Sequence, residues 1–182
     1  MIQGKNIDLR LVKESDFGIV TEYLGDIKNR GDYENFDFTS EVSLRKQYND
    51  SGFWSEDFGV LQIVDKEDSL LGFISYFKPF TRPTRAGLEV GYAIYKSENF
   101  GKGHTTEAVS LFVAFLFETK AVNRIQATTH PENKASQRVL EKCGFKFEGL
   151  LRQAYINRGQ VIDSNLYSII RSECPALADL MG

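Results

Sequence analysis

The spacing of the apolar residues changes near residue 100, and this change limits the fold more than any other feature of the chain. Before it, mostly apolar runs at 58–64, 70–78 and 88–95 are typical of β-strands. After it, apolar residues recur at helical spacing and predict an amphipathic helix. They are Ala108, Leu111, Phe112, Phe115 and Leu116. Strands followed by alternating strands and helices indicate a mixed sheet covered by helices, an α/β fold.

The segments on either side extend this pattern. A first strand is predicted at 7–11, followed by helices at about 15–24 and 42–48. Farther along, a strand is predicted at 124–129 and a helix at 133–142, which a glycine ends. Sheet and helix segments therefore occur along the whole sequence.

A hairpin is predicted in the last third of the sequence. Strands at 145–156 and 161–171 flank Asn157-Arg158-Gly159, whose residue types favour a tight turn. No internal repeat and no Pro- or Ser-rich linker interrupts the sequence. We therefore expect residues 1–182 to form one domain, long enough to bury a core without disulfides or metals.

Charge and composition exclude several function classes. Lys and Arg number 22 against 25 Asp and Glu, and the net charge of -3 argues against nucleic-acid binding, which requires a basic face. The longest apolar run, 111–117, is far shorter than the ~20 residues of a membrane helix. The first residues show no signal-peptide pattern, and Cys143, Cys174, His104 and His130 form no metal-ligand motif. The sequence predicts a cytoplasmic protein with no metal and no nucleic-acid or membrane partner.

A glycine-rich turn at 101–108 carries the strongest functional signal. Its sequence is GKGHTTEA, and it opens the predicted amphipathic helix. Glycines let the backbone approach a ligand closely, and the free N–H groups of a first helical turn bind anions such as phosphate. The spacing matches neither a Walker A loop nor a dinucleotide fingerprint. Taken alone, the segment is explained equally well as an ordinary strand-to-helix turn.

A second polar segment lies about thirty residues later. Asn133 is placed to cap a helix, and Ser136 falls in the first turn of that helix. Gly144-Phe145 follows where the helix ends. Capping alone is the simpler explanation for an isolated pair of this kind.

Together and in this order, the two segments resemble motifs of the GCN5-related N-acetyltransferases (GNAT). The most similar branch is the ribosomal-protein N-terminal (Rim-type) branch, which also includes antibiotic and amino-sugar acetyltransferases. Phe100 and Thr105 depart from the usual residues of the family, but neither change removes a backbone donor. Further similarity lies at Asp8, Leu9, Arg10, Glu14, Ser15, Asp16, Glu148, Gly149, Arg152, Gly159, Asp163 and Tyr167.

The resemblance implies a mixed sheet of six or seven strands, splayed between its fourth and fifth strands and flanked by about four helices. Acetyl-CoA would lie in the splay, with its pantetheine along the fourth strand, here 88–95. A bulge, common in this strand of the family, would shift the alternation of its faces near Tyr92. The implied cofactor-binding residues are Tyr92, Ile94, Gly101, Lys102, Gly103, His104, Thr105, Thr106, Asn133 and Ser136.

The reaction of the family is direct attack of a primary amine on the acetyl thioester. An amine with a pKa of ~10.4 is mostly protonated at neutral pH, so the enzyme must supply a base. Glu89 is the candidate base or water-positioning acid, unless it is only a solvated or ion-paired strand carboxylate. Ser136 is the candidate proton donor to the departing thiolate, with Tyr155 and Tyr167 as alternative donors.

The acceptor is indicated less specifically. Residues 31–58 mix acidic and aromatic side chains, which attract a cationic amine or stack on a sugar when they line a site. Tyr33, Trp54 and Glu89 are the candidate acceptor-binding residues, although a lid packed on the sheet explains the aromatic residues equally well. A small-molecule amine, such as an amino sugar, a nucleotide-linked sugar or an antibiotic, is favoured over a peptide N-terminus. A non-catalytic acyl-CoA-binding module is the rival interpretation, and a homodimer is compatible with both.

Overall fold

An eight-stranded sheet forms the framework of the computed structural model, which describes residues 1–26, 30–34, 39–79 and 87–182. The strands are β1 (Ile2–Gln3), β2 (Asp8–Leu11), β3 (Phe58–Val64), β4 (Leu70–Phe77), β5 (Gly87–Ile94), β6 (Arg124–Thr129), β7 (Lys146–Asn157) and β8 (Gln160–Ile170). The α-helices are α1 (Phe17–Gly25), α2 (Glu41–Ser51), α3 (His104–Thr119), α4 (Lys134–Lys142) and α5 (Leu177–Leu180).

The sheet is mixed, as the change in periodicity predicts. Strands β1 to β5 each pair with the next strand in sequence, and every one of these pairs is antiparallel. β5 and β6 are parallel, because α3 carries the chain back along the sheet between them. β6, β8 and β7 then pair antiparallel in that order.

The sheet has eight strands where six or seven were predicted, and the described residues form five α-helices where about four were predicted. β1 has only two residues and α5 only four, so neither produces a periodic pattern in the sequence. β3 and β6, which do carry such a pattern, have the predicted bounds.

β5 and β6 separate after a short paired stretch. Their parallel register joins residues 87–89 to residues 124–126 and then stops. Beyond it, β5 continues to Ile94 and β6 to Thr129, each unpaired with the other in this fully described part of the sheet. This confirms the predicted splay. Because β1 adds a strand, the predicted fourth and fifth strands are β5 and β6.

The two faces of β5 pack against different layers. Leu88 and Val90 belong to the main core, which lies between the sheet and helices α3 and α4. Ala93 and Tyr95 pack in the opposite layer, against α1. The register of β5 with β4 runs without a shift along the paired residues. The alternation of faces therefore holds, and the bulge considered near Tyr92 is absent from this described strand.

α3 is anchored by its apolar face. Ala108, Leu111, Phe112 and Leu116, which predicted the helix, are almost completely buried in the main core. Burying a large apolar side chain contributes about 1.5–3 kcal/mol. This packing holds the first turn of α3 in place beside the segment that follows β5.

The turn between β7 and β8 has the geometry that its sequence predicts. Arg158 and Gly159 form a two-residue loop with φ angles of 50° and 75°. Positive φ at both central residues is typical of the type I′ turn, whose twist matches that of a hairpin. The turn therefore fixes the register of the two strands that form the far edge of the sheet.

Candidate functional site

A cavity of about 500 Å³ opens where β5 and β6 separate. Its walls come from both strands, from the start of α4, from β7 and from the segment 30–34. The candidate residues that line it are Tyr33, Glu89, Tyr92, Asn133, Ser136 and Tyr155. The splay thus brings together candidate residues from distant parts of the sequence.

The Glu89 side chain lies where the two strands part, on the last β5 residue that pairs with β6. Its Oε2 accepts a hydrogen bond from Nε2 of Gln126 at 2.9 Å. Its Oε1 accepts another from Oγ1 of Thr128 at 2.8 Å. Both partners are neutral side chains of β6, so the half-buried carboxylate is held against one wall of the cavity.

Two hydroxyl groups meet at the start of α4. Oδ1 of Asn133 accepts a hydrogen bond from the N–H of Ser136 at 3.0 Å, so Asn133 caps the helix as predicted. The Oγ of Ser136 lies 2.9 Å from the Tyr92 hydroxyl. Burial raises the pKa of the Tyr92 phenol, although its hydrogen bond with Ser136 acts in the opposite direction. Tyr92 is therefore a protonated partner of Ser136 at neutral pH.

The turn before α3 has the shape of an anion site. Gly101 and Gly103 have φ angles of 73° and 86°, in the left-handed region that glycine adopts without strain. A Cβ on either residue would meet no atom within 4 Å. α3 begins at His104, and the N–H groups of a first helical turn have no partner within the helix. Nδ1 of His104 is buried and lacks a hydrogen-bond partner among the described residues. These donors and this open backbone fit a phosphate group.

The other candidate residues of this turn lie around its rim. Lys102 is exposed, with its Nζ 3.2 Å from Oδ1 of Asn99, and so places a cation beside the turn. Thr105 and Thr106 are half-buried in the first turn of α3. Phe100, which departs from the family's usual residue, is 60% exposed and leaves the turn open.

Helix α4 links the cavity to the glycine-rich turn. At its start, Asn133 and Ser136 line the cavity. At its end, Sγ of Cys143 donates to the carbonyl oxygen of Thr106 in α3 at 3.4 Å. The nine residues of α4 span about 13 Å. An elongated ligand that follows α4 therefore reaches both the cavity and the turn.

Besides the residues of the glycine-rich turn, three candidate residues lie away from the cavity lining. Trp54 packs on the main core, with its ring centroid 5.2 Å from that of Tyr76 and 6.5 Å from that of Phe112. This packing agrees with the alternative left open by the sequence, in which the aromatic residues pack on the sheet. Tyr167 is 3% exposed within the main core, so Tyr155 is the alternative hydroxyl that faces the cavity. Ile94 is half-buried against the same core at the end of β5.

The segment 30–34 approaches the cavity from the side of α1. The centroid of the Tyr33 ring lies 4.7 Å from that of His130, the residue that follows β6. The contact between these two rings therefore bridges the cleft. Glu34 also lines the cavity and accepts a hydrogen bond from the Tyr23 hydroxyl of α1. Residues 35–38 of the predicted acceptor segment lie outside the described residues.

An irregular stretch of β7, which the sequence does not predict, completes the cavity wall. The pairing of β7 with β8 shifts between Leu151 and Tyr155, so three β7 residues lie opposite Asp163. Gln153 has a φ of 52°, and its N–H donates to Oδ1 of Asp163 at 2.8 Å. The bulge brings Leu151, Ala154 and Tyr155 to the cavity. Nothing in the local sequence marks it, because a bulge depends on the partner strand.

Gln153→Gly is expected to raise the free energy of unfolding by up to about 1 kcal/mol. The left-handed conformation strains a residue with a Cβ by roughly 1–2 kcal/mol, more than the roughly 0.5–1 kcal/mol of entropy that glycine loses on folding. Denaturant unfolding measures the change, with Gln153→Ala as the control that keeps the strain. A glycine variant less stable than the alanine variant would show that the bulge carries no such strain.

The described residues offer neither a membrane span nor a metal site. In residues 1–26, 30–34, 39–79 and 87–182, no helix is both long and apolar enough to cross a bilayer. The same ranges contain no cluster of three or more His, Cys, Asp or Glu side chains suited to a metal ion.

Known proteins are similar to this chain in sequence and in fold. The family model "Acetyltransferase (GNAT) domain" matches residues 6–146. The probable N-acetyltransferase YjcK of Bacillus subtilis (strain 168) is 31% identical over 183 residues, covering 95% of this chain and 98% of the relative. The ribosomal-protein-serine acetyltransferase of Escherichia coli (strain K12) is 29% identical over 108 residues, or 59% of each protein.

A solved structure agrees in fold. Spermidine N-acetyltransferase from Vibrio cholerae, in complex with CoA and spermine, superimposes with a TM-score of 0.78 at 21% identity. The match covers 92% of this chain and 96% of that chain. The resemblance drawn from the two sequence motifs is confirmed, and the chain belongs to the GNAT family of N-acetyltransferases, which use acetyl-CoA as the acetyl donor.

Proposed function

We propose that this enzyme transfers the acetyl group of acetyl-CoA to the primary amine of a small cationic molecule, by direct attack of the amine on the thioester. The observation that carries the proposal is the cleft between β5 and β6. It holds the carboxylate of Glu89 on one strand and the hydroxyl of Ser136 at the start of α4. An open anion-binding turn lies at the other end of the same helix.

The residues that would hold acetyl-CoA follow α4 from one end to the other. The backbone and side chains of Gly101, Lys102, Gly103, His104, Thr105 and Thr106 would bind the pyrophosphate. The edge of β5 beyond Glu89, which β6 leaves unpaired, would bind the pantetheine near Tyr92 and Ile94. Asn133 and Ser136 would contact the thioester end. When bound, acetyl-CoA supplies an acetyl group activated as a thioester.

Glu89 is proposed to accept a proton from the acceptor amine, directly or through water. The amine is mostly an ammonium ion at neutral pH, and a nearby carboxylate both attracts it and takes up its proton. Glu89 suits this role because its partners Gln126 and Thr128 are neutral, so no basic group in this contact offsets its charge.

Ser136 is proposed to donate a proton to the departing thiolate, and its Oγ then regains the proton that the acceptor nitrogen releases as the amide forms. The Tyr92 hydroxyl, 2.9 Å from Oγ of Ser136, holds that hydroxyl in place within the cleft. Tyr155 is the alternative donor, since it lines the same cavity from β7, where burial raises the pKa of its phenol. Tyr167 is set aside because it is enclosed in the core.

A small cationic amine suits the cavity better than a protein terminus. The Tyr33 and His130 rings lie 4.7 Å apart across the cleft, and Tyr33 and Tyr155 add aromatic rings, which attract cations, to the cavity lining. Proteins similar to this chain are named for both classes of acceptor, small amines and proteins. One is named a spermidine N-acetyltransferase and another a ribosomal-protein-serine acetyltransferase. Transfer to a protein N-terminus is the second candidate, and a non-catalytic acyl-CoA-binding module is the third.

A panel of amines distinguishes these candidates. The purified chain is mixed with acetyl-CoA and, in turn, with amino sugars, aminoglycosides, polyamines and short peptides, and the release of free thiol is followed. The proposal predicts release with at least one small amine and little with the peptides. Release with peptides alone would favour a protein acceptor, and no release with any amine would favour the binding module.

We further propose that residues 1–182 form one GNAT domain that works in the cytoplasm. The described sheet and its helices share one main core, which supports a single domain. Cys143 and Cys174 are free thiols, as is usual in a reducing compartment.

Asn133→Ala and Ser136→Ala are expected to separate capping from chemistry. Loss of the Asn133 cap should lower the free energy of unfolding by about 1 kcal/mol. Ser136→Ala should leave stability nearly unchanged, since alanine is a good helix residue, yet it should lower turnover by roughly 10²-fold, at the low end of acid catalysis. Thermal unfolding and thiol release between pH 6 and 9 measure the two effects. Full turnover of Ser136→Ala over this range would transfer the donor role to Tyr155.

A further inference from the structure

The carboxylate of Glu89 is held by two side chains of the neighbouring strand. Gln126 pairs directly with Glu89 in the parallel register, and Thr128 lies two residues farther along β6 on the same face. Each donates one hydrogen bond to a different carboxylate oxygen, at 2.9 and 2.8 Å. Both contacts cross the gap at the point where the strands begin to separate.

We propose that Thr128 and Gln126 are positioning residues for the acetyl transfer, acting through Glu89. This inference rests on the proposed function of Glu89 as the base. Two donors on different oxygens fix both the plane and the rotamer of a side chain that has three rotatable torsions. A carboxylate oxygen accepts up to two hydrogen bonds, so each one keeps a free position for the ammonium ion or for water.

The chemical type of these two donors matters as much as their position. A lysine or arginine partner would orient Glu89 but would also cancel the negative charge that attracts a cationic acceptor. An amide and a hydroxyl orient it without adding a charge. The hydrogen bonds from β6 thus orient the carboxylate without placing a positive charge beside it.

Three other titratable groups of the cavity wall are already engaged. Glu34, in the segment 30–34, accepts a hydrogen bond from the Tyr23 hydroxyl and lies 3.7 Å from Arg30. Nδ1 of His130 accepts one from the N–H of Glu132 at 3.0 Å. The Tyr92 hydroxyl contacts Ser136. Glu89 differs from Glu34 because its two partners, Gln126 and Thr128, are neutral side chains of β6. The orientation of the Glu89 carboxylate therefore depends on these two hydrogen bonds.

A double-mutant cycle tests the proposal. The Thr128→Val change removes the hydroxyl and keeps the shape, and Thr128→Ser keeps the donor. Each is measured in the native chain and in a Glu89→Gln background, with acetyl-CoA and the amine of the panel that releases thiol fastest. We expect Thr128→Val to lower kcat about tenfold with the KM for acetyl-CoA unchanged, and Thr128→Ser to restore most of it. In the Glu89→Gln background, Thr128→Val should lower kcat hardly any further.

Gln126→Met, which removes the other donor at similar size, should behave as Thr128→Val does. An equal loss in both backgrounds, or a raised KM for acetyl-CoA, would show that Thr128 acts on packing and not through Glu89. If Thr128→Val and Gln126→Met both keep the native kcat while Glu89→Gln is impaired, the positioning role is overturned and the base role of Glu89 stands. Full activity of Glu89→Gln would instead remove the base role, which separates failure of the proposed function from failure of this inference.

Discussion

Glu89→Gln is expected to lower turnover by roughly 10²–10⁴-fold, the loss typical of removing a general base. The variant keeps the size of the side chain but loses the charge and the proton acceptor on the β5 wall of the cavity. Affinity for acetyl-CoA should stay nearly unchanged, because the glycine-rich turn lies at the other end of α4. Thiol release gives turnover, and calorimetry gives the affinity for acetyl-CoA.

Glu56→Gln is a matched control for this prediction. Glu56 is exposed, pairs with Lys78 at 3.4 Å, and lies outside the residues that line the cavity. The same chemical change there should leave turnover unaffected. Native turnover of Glu89→Gln at neutral pH would show that Glu89 is not the base and that its carboxylate only links β5 to β6 by hydrogen bonds.

Gly103→Val is expected to weaken the binding of acetyl-CoA by about tenfold or more, equivalent to at least about 1.4 kcal/mol. Gly103 directly precedes α3, so the branched side chain would stand where a phosphate group must approach the first N–H groups of the helix. The chain should still fold, because no atom lies within 4 Å of the position of the new Cβ. Calorimetric titration with acetyl-CoA measures the loss.

Backbone strain must be separated from the effect on the ligand. Valine at a φ of 86° is strained by roughly 1–2 kcal/mol. Gly52, after α2, also has a left-handed φ of 60° and an open Cβ position, so Gly52→Val carries comparable strain far from the turn. It should lower stability to a similar extent and leave affinity intact. If a folded Gly103→Val bound acetyl-CoA as tightly as Gly52→Val does, the turn would not belong to the cofactor site.

The sequence predicts those parts of the fold that depend on local patterns. The apolar spacing of Leu111 to Leu116 depends on α3 alone, the cap at Asn133 depends on α4 alone, and the structure confirms both. The two-residue turn at Arg158 and Gly159 is likewise local. β1 and α5 were missed because they are too short to carry a period and depend on neighbouring elements for their stability.

Some residues of the candidate site can likewise be predicted from local sequence, and others cannot. Residues in contiguous motifs, such as Gly103 and Ser136, can be singled out from the sequence. Gln126, Thr128 and His130 could not be, because their part in the cavity follows from which strands pair and where they separate. Trp54 packs against Tyr76 away from the cavity lining, and the sequence left both possibilities open, because an aromatic residue in a polar segment does not reveal which surface it covers.

The most direct test of acetyl transfer in the cleft is a balance of products in one reaction. The native chain is incubated with acetyl-CoA and the most active small amine, and free thiol and acetylated amine are both quantified, the amine by mass spectrometry. The account predicts one acetylated amine for each thiol released over many turnovers, with both products lost together in Glu89→Gln. Tight binding of acetyl-CoA with no acetylated amine from any member of the panel would contradict it and identify the cleft as a binding site alone.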